Sequence, residues 1–132
     1  MMTELASTGP RVRTARLLLV DDEPDVRKLC TDLFEEAGYA VTSAPDAKSG
    51  ARAALEAPYD VAVIDYRLPD CRGTALVRWL RKRYPKMALI VFSAYADWDM
   101  FFKAGGIGAR DVVAKTASPK ELLRIVEHSL SH

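Results

Sequence analysis

The segment Leu17-Leu18-Leu19-Val20-Asp21-Asp22-Glu23-Pro24 decides the fold class of this chain. Its four consecutive apolar residues are typical of a strand that is buried on both faces, as in a parallel sheet. The acidic residues mark the end of that strand. Pro24 suits the first turn of a helix, because its missing N–H needs no partner there. The segment therefore predicts a strand, an acidic turn and a helix in direct succession.

The same alternation of apolar runs and helical periodicity continues along the chain. Further strands are predicted at 40–42, 61–64, 88–92 and 112–114. Helices are predicted at 24–37, 47–55, 75–80, 97–104 and 119–130. Leu29 and Leu55 belong to the apolar sets of the first two helices, and we expect them on the buried faces. Five strands alternating with five helices predict an α/β fold, with a five-stranded parallel sheet and helices on both faces.

Length and composition favour one domain in this chain. Its 132 residues, 49% of them hydrophobic, match the size of one compact unit. Residues 1–14 lack periodicity and contain Gly9-Pro10, which predicts a flexible leader. Residues 15–132 are the predicted folded domain.

Charge and cysteine content narrow the class further. The chain has 19 Lys and Arg against 18 Asp and Glu, so no large net field attracts nucleic acid or an acidic membrane. The longest apolar run, Met87 to Phe92, is too short to cross a bilayer. Cys30 and Cys71 form neither a metal-binding spacing nor a disulfide framework, which favours a reducing cytoplasm.

Chemically capable side chains collect at the predicted carboxyl ends of the strands, where ligands bind in this architecture. Asp21 and Asp22 follow the first strand, Asp65 ends the third, Ser93 ends the fourth and Lys115 follows the fifth. Mg²⁺ would relieve repulsion among the converging carboxylates, because it binds through one or two carboxylates, waters and a phosphoryl oxygen. Lys115 and Ser93 would supply a cation and a donor to the remaining phosphoryl oxygens. Each residue alone has an ordinary structural interpretation, and the prediction depends on all of them together.

Four sequence motifs occur in order along the chain. They are Leu18-Leu-Val-Asp-Asp-Glu-Pro24, Asp60-Val-Ala-Val-Ile-Asp65 with the following Leu68-Pro69-Asp70 and Gly73, Val91-Phe-Ser93-Ala94, and Gly108-Ala-Arg-Asp-Val-Val-Ala-Lys115. Together they resemble the receiver domain of bacterial two-component response regulators, over about Arg16 to Leu130. The resemblance implies a flavodoxin-like receiver fold and a phosphoacceptor role in phosphorelay signal transduction. The resemblance implies a signalling protein rather than an enzyme that turns over a substrate.

The resemblance implies specific roles for the acidic residues. Asp65 matches the phosphoacceptor, whose carboxylate attacks the phosphoryl group of a phosphohistidine. Asp22 matches a direct Mg²⁺ ligand, and Asp21 matches the acid that reaches the metal mainly through water. Arg67 matches the position whose backbone carbonyl binds the metal.

The remaining matched positions concern phosphoryl binding and switching. Lys115 matches the lysine that pairs with the phosphoryl group, and Ser93 the hydroxyl that moves toward it. Two positions depart from the family's pattern. Val112 replaces a frequent aromatic residue, which puts an aromatic switch in doubt. Thr116 replaces a frequent proline after the lysine, and a non-proline bond strongly prefers trans.

The implied partners are a sensor histidine kinase or a phosphotransfer protein. The last two helices and strand five would carry the output contact, as a homodimer or with an output partner. The predicted helix at 97–104 contains Trp98, Met100, Phe101 and Phe102, of which at least one is expected to be exposed. No nucleic acid or membrane binding is expected of this domain.

Two rival functions remain. A pseudo-receiver would bind a protein partner without phosphorylation, and the departures at Val112 and Thr116 are the features in its favour. A hydrolase of the haloacid-dehalogenase type usually needs an acid two residues past the nucleophile, where this chain has Arg67. Tyr95 and Arg67 either tune water access to the acceptor or are inert surface. Cys71 is interpreted as an incidental thiol, and His128 with His132 as surface residues.

Overall fold

The computed structural model describes residues 14–94, 106 and 108–131. Five strands lie in this part of the chain: β1 Arg16–Val20, β2 Ala40–Ala44, β3 Val61–Asp65, β4 Ala88–Ser93 and β5 Asp111–Ala114. Four helices accompany them: α1 Pro24–Glu36, α2 Ala47–Glu56, α3 Gly73–Arg83 and α4 Pro119–Leu130. The helix predicted at 97–104 lies outside the described residues.

The strands form one parallel sheet in the order β2-β1-β3-β4-β5. The predicted α/β fold with a five-stranded parallel sheet is therefore confirmed. The strand order reverses beside β1, since β2 lies on one side of it and β3 on the other. Crevices at such a reversal, outside the carboxyl ends of the strands, are where doubly wound sheets bind ligands.

Both faces of the sheet are buried by helices. Successive residues of each strand point to opposite faces, so each strand contributes to both packed sides. Leu18 and Val20 of β1 pack on the side of α2 and α3, with Ala54, Leu76 and Leu80. Leu17 and Leu19 pack on the other side, against residues of α1 and α4: Cys30, Phe34, Leu122 and Val126. This two-sided burial explains the continuous apolar runs in the sequence.

The expectation that Leu29 and Leu55 face the core is wrong. Leu29 is 59% exposed and Leu55 is 56% exposed. Each lies one residue from the centre of its helix's buried stripe, at Cys30 and Ala54. One residue is a rotation of about 100° in an α-helix, which carries both leucines beyond the packed face.

The helix ends follow the sequence signals. Ser118 caps α4 by accepting a hydrogen bond from the Glu121 N–H at 3.2 Å, with Pro119 in the first turn. Gly38 follows α1 with φ at +101°, a conformation that favours glycine. Among the described residues, the helices are too short and too polar to cross a lipid bilayer.

Candidate functional site

Strand register brings the chemically capable residues together at the carboxyl edge of the sheet. Asp65 is the last residue of β3 and pairs with Phe92 of β4. Ser93 follows on β4 and pairs with Ala114, the residue before Lys115. Asp21 directly follows β1, the other neighbour of β3. The edge residues predicted from sequence therefore surround one short stretch of the sheet.

Three carboxylates converge at this edge. Oxygen atoms of Asp21, Asp22 and Asp65 lie within 4.8 Å of one another. Asp21 is 1% exposed and Asp65 is 6% exposed, whereas Asp22 is open to solvent. Local hydrogen bonds fix Asp21, since its Oδ1 accepts the Glu23 N–H at 2.9 Å and its carbonyl accepts Arg27 Nη1 at 2.7 Å. Two acids are thus preorganised by the fold, and the third faces the solvent.

Lys115 crosses the edge of the sheet to meet these acids. Its Nζ lies 2.9 Å from Asp21 Oδ2 and 3.1 Å from Asp65 Oδ2. A third carboxylate, that of the exposed Glu23, lies 2.8 Å away. The sequence analysis did not assign Glu23 a role, although it directly follows the acidic pair. One ammonium therefore neutralises charge from three acids.

Burial and neighbouring charges shift the pKa values of the central pair. Burial raises the pKa of Asp65 above its usual value, and the carboxylate of Asp21 adds to the rise against the opposing effect of Lys115. Burial alone would lower the pKa of Lys115. Its close contacts with the carboxylates of Glu23, Asp21 and Asp65 outweigh that effect and raise the pKa. Lys115 is therefore a permanent cation at neutral pH.

The donor set fits a hard divalent cation. Asp21 Oδ2 is buried and has no hydrogen-bond partner within the described residues, its contact with Lys115 being an ion pair. Buried carboxylate oxygens usually have such partners, so this atom retains coordination capacity. Mg²⁺ binds through one or two carboxylates together with waters, and this cluster offers such oxygens with space toward solvent at Asp22.

The loop after β3 supports the carboxylate of Asp65. The Arg67 N–H donates to Asp65 Oδ1 at 3.3 Å, and the Gly73 N–H donates to the Tyr66 carbonyl at 2.6 Å. The guanidinium carbons of Arg67 and Arg72 lie 5.9 Å and 5.6 Å from the centre of the Tyr66 ring. A Cβ at Gly73 would overlap the carbonyl oxygen of Asp65, so only glycine lets α3 begin this close to the strand.

The positions that the family resemblance connects with switching lie on β4 and β5. Ser93 is 1% exposed, and its carbonyl accepts the Lys115 N–H at 2.7 Å. Val112, at the departure from the aromatic pattern, is half-buried and packs on the α2 and α3 side of the sheet. The described residues contain no cis peptide bond, so the bond from Lys115 to Thr116 is trans, as expected.

Asp70 has a role that the sequence analysis missed. Its Oδ1 accepts the Ala47 N–H and its Oδ2 the Lys48 N–H, each at 2.9 Å. Asp70 therefore caps α2 from the loop that follows the Asp65 strand. The Leu68-Pro69-Asp70 motif singled this residue out in the sequence. Its spacing could not predict the hydrogen-bond partners, which lie 22 and 23 residues earlier.

The other residues singled out from sequence stand apart from this site or outside the description. His128 is exposed on α4, while His132, Tyr95 and Trp98 lie outside the described residues. Cys71 is a half-buried thiol in the loop, and burial raises its pKa, with Asp70 adding to the rise. A thiol with a raised pKa is less reactive, which agrees with an incidental role.

Comparison with known proteins gives the same assignment. A family model for the response regulator receiver domain matches residues 17–127. The chain is 30% identical over 115 residues to the response regulator protein PilR of Pseudomonas aeruginosa, covering 87% of this chain and 26% of PilR. It is 34% identical over 109 residues to the transcriptional regulatory protein GltR of the same species, covering 81% of this chain and 45% of GltR. The chain thus spans about a quarter to half of these relatives.

Solved structures show the same fold. A CheY-like response regulator receiver domain protein from Methanospirillum hungatei superimposes with a TM-score of 0.87 at 28% identity, covering 90% of this chain and 95% of that one. A two-component response regulator of the LuxR family from an Aurantimonas species gives 0.84 at 34% identity, covering 90% and 86%. The family match covers most of the chain. It agrees with the sheet topology and with the acids and the lysine found at the carboxyl edge of the sheet. This chain belongs to the response regulator receiver domain family.

Proposed function

We propose that this receiver domain accepts a phosphoryl group on Asp65 and works as a phosphorylated switch in two-component signalling. The observation that carries the proposal is the position of the Asp65 carboxylate, which lies within 4.8 Å of carboxylate oxygens of Asp21 and Asp22 and 3.1 Å from the ammonium of Lys115. Oδ1 of Asp65 accepts the Arg67 N–H and Oδ2 contacts Lys115. The acceptor is therefore held in one orientation, as phosphoryl transfer requires.

The proposed phosphoryl transfer is a displacement at phosphorus. An oxygen of the ionised Asp65 carboxylate forms a P–O bond as the P–N bond of a phosphohistidine breaks, and the imidazole leaves with the bond's electron pair and takes up a proton. Lys115 is placed to move its contact from Asp65 Oδ2 to an oxygen of the arriving phosphoryl group. Its remaining contacts with Asp21 and Glu23 keep the ammonium at the edge of the sheet.

We propose that Asp21, Asp22, Asp65 and the backbone carbonyl of Arg67 hold Mg²⁺. The bound ion supplies positive charge that offsets the acids and the phosphoryl oxygens. Asp22 would bind the ion directly through its solvent-facing carboxylate, and the buried Asp21 would reach the ion mainly through water.

Ser93 is proposed as the residue that reports phosphorylation. It ends β4 next to the acceptor strand, and its carbonyl is bonded to the backbone of Lys115. Movement of its hydroxyl toward the phosphoryl group would pull on the chain that follows Ala94. Because Val112 offers no ring to change rotamer, we expect this backbone route to carry the signal to strand β5, the predicted helix at 97–104 and α4.

The proposed phosphodonor is a sensor histidine kinase or a phosphotransfer protein, and the proposed location is the cytoplasm. The receiver itself is proposed to signal rather than to turn over a substrate. The relatives PilR and GltR are longer proteins, of which this chain matches 26% and 45%. A contact with an output partner, or a homodimer, through β5, the predicted helix at 97–104 and α4 stays a prediction.

Intact-mass measurement tests this function. Acetyl phosphate or phosphoramidate with Mg²⁺ should add one phosphoryl group to the wild type and none to Asp65→Asn. Asp32→Asn is a matched control, because Asp32 is an exposed acid on α1 whose recorded contact is with Lys28. Equal labelling of Asp65→Asn and wild type would reject the acceptor assignment. A wild type that takes no phosphoryl group from either donor would favour the pseudo-receiver, for which Val112 and Thr116 are the supporting observations.

A further inference from the structure

Charge is unevenly distributed between the two faces of this domain, despite a net charge of only +1. The segment from Arg72 to Lys86, which includes α3, contains six Lys or Arg residues and no Asp or Glu. The segment from Asp21 to Glu36, which includes α1, contains seven acids against Arg27 and Lys28. Each segment therefore carries a strong local charge that the overall balance conceals.

The cationic side chains form a basic surface, defined here as the exposed residues Arg72, Arg78, Lys82, Arg83 and Lys86. Within residues 14–94, 106 and 108–131, no carboxylate forms an ion pair with any of them. The guanidinium carbon of Arg83 lies 5.1 Å from the ring centre of Trp79, which keeps a planar cation at the surface. The basic surface is thus available to an outside anion.

The acidic side chains form an acidic surface on α1, defined here as the exposed residues Asp25, Asp32, Glu35 and Glu36. Leu29 lies within it and is 59% exposed, one of the most exposed large apolar residues of the described chain. Lys28 lies beside Leu29 and pairs with Asp32 at 3.4 Å, so four acids share this surface with one exposed lysine and its charge remains negative.

The two surfaces cannot neutralise each other within one molecule. The core residues of α3, Leu76 and Leu80, pack on one side of the sheet, whereas those of α1, Cys30 and Phe34, pack on the other. The helices also match in length, at about 20 Å for α1 and about 17 Å for α3. A second copy of the chain presents the missing opposite charge on a helix of similar size.

We propose that the basic surface of one molecule binds the acidic surface of another, so that this domain associates head to tail at low ionic strength. Such an interface joins two different patches, so it does not close with two copies and allows longer assemblies. Exposed ion pairs are individually weak and screened by salt, so the association should be weak and strongly salt-dependent. It does not depend on phosphorylation of Asp65.

Sedimentation equilibrium of the whole chain tests the proposal. At about 20 mM NaCl the average mass should rise with concentration above 14.6 kDa, and at about 500 mM it should return to that value. We expect the association constant to fall at least about tenfold between these conditions. A wild type that stays at 14.6 kDa in low salt at every concentration overturns the proposal.

Charge reversal identifies the surfaces. Arg78→Glu with Lys82→Glu, and separately Glu35→Lys with Glu36→Lys, should each remove self-association in low salt. An equimolar mixture of the two double variants should associate again, because their reversed surfaces are complementary. Lys120→Glu with Arg124→Glu on α4 makes the same charge change as the first pair and should leave association in place. If both surface variants associate as the wild type does, the surfaces are wrongly assigned.

Other occupants of the basic surface give distinct results. Duplex DNA or vesicles with anionic lipid, added to a monomeric wild type in low salt, could bind instead. Binding of either that is lost in Arg78→Glu with Lys82→Glu, without self-association, would overturn the proposal and make the basic surface a polyanion site. Acetyl phosphate labelling of each variant, expected to match the wild type, separates this proposal from that for Asp65.

Discussion

Lys115 Nζ and Asp65 Oδ2 are 3.1 Å apart, although the two residues are fifty positions apart in the sequence. The parallel sheet produces this contact, because β3 and the strand before Lys115 both end at the same edge. The side chain of Lys115 is 14% exposed and that of Asp65 is 7% exposed, so solvent screens their interaction only partly. The fold therefore fixes a cation beside the proposed phosphoacceptor.

Removing the cation should destabilise the domain in the absence of Mg²⁺. Lys115→Met leaves the buried acids Asp21 and Asp65 facing each other, and we expect a loss of about 3 kcal/mol in the free energy of unfolding. Lys28→Met is the matched control, because its exposed pair with Asp32 should contribute less than about 0.5 kcal/mol. Urea denaturation with EDTA measures both. Equal losses would show that Lys115 has no special electrostatic role.

Mg²⁺ should raise the melting temperature by binding the folded state alone. At one hundred times its dissociation constant the ion would stabilise the fold by about 2.7 kcal/mol. Asp22→Asn should abolish most of this shift, because it removes the solvent-facing ligand. Asp25→Asn, an exposed acid at the start of α1, should keep it. An unchanged shift in Asp22→Asn would reject the proposed ligand set.

The cap that Asp70 provides should depend on pH. The N–H of Ala47 lowers the pKa of Asp70 below its ordinary value of 3.8, with a smaller contribution from that of Lys48. A lowered pKa contributes stability above 3.8, and this contribution is lost as the pH falls through the folded-state pKa. Asp70→Asn should therefore melt below the wild type at pH 7, and the difference should shrink well below pH 3.8. A difference that is constant with pH would contradict an ionised cap.

Gly73→Ala should damage both stability and the acceptor. The added Cβ would overlap the carbonyl oxygen of Asp65, so α3 or the end of β3 must move. We expect a loss of about 1–3 kcal/mol in unfolding free energy together with slower phosphoryl labelling. Gly106→Ala is the control, since no described residue lies within 4 Å of a Cβ there. Normal labelling and stability in Gly73→Ala would show that the loop adapts without displacing Asp65.

The fold could be predicted from sequence because the three central strands, β1, β3 and β4, are buried on both faces and therefore appear as continuous apolar runs. The grouping of Asp21, Asp65, Ser93 and Lys115 could be predicted from topology, since the carboxyl ends of parallel strands lie at the same edge of a sheet. Val61 to Asp65 shows both effects, as a fully buried run that ends in the proposed acceptor.

The remaining features depend on side-chain placement, which no periodic pattern encodes. Glu23 and Asp70 were not assigned their partners, because their contacts join Lys115 and α2 across the tertiary structure. Leu29 was misplaced because its spacing fits an amphipathic helix while its angle lies outside the packed stripe. Apolar spacing predicts which helix is amphipathic more reliably than it predicts which edge residue is covered.

Chemical mapping of the phosphorylated residue distinguishes Asp65, the proposed phosphoacceptor, from the neighbouring acids. Borohydride reduces an aspartyl phosphate to homoserine, which peptide mass spectrometry locates after treatment with acetyl phosphate and Mg²⁺. We expect homoserine at position 65 and unmodified Asp21 and Asp22. Homoserine at position 21 or 22, or none at position 65 in protein that has gained one phosphoryl mass, would contradict this assignment.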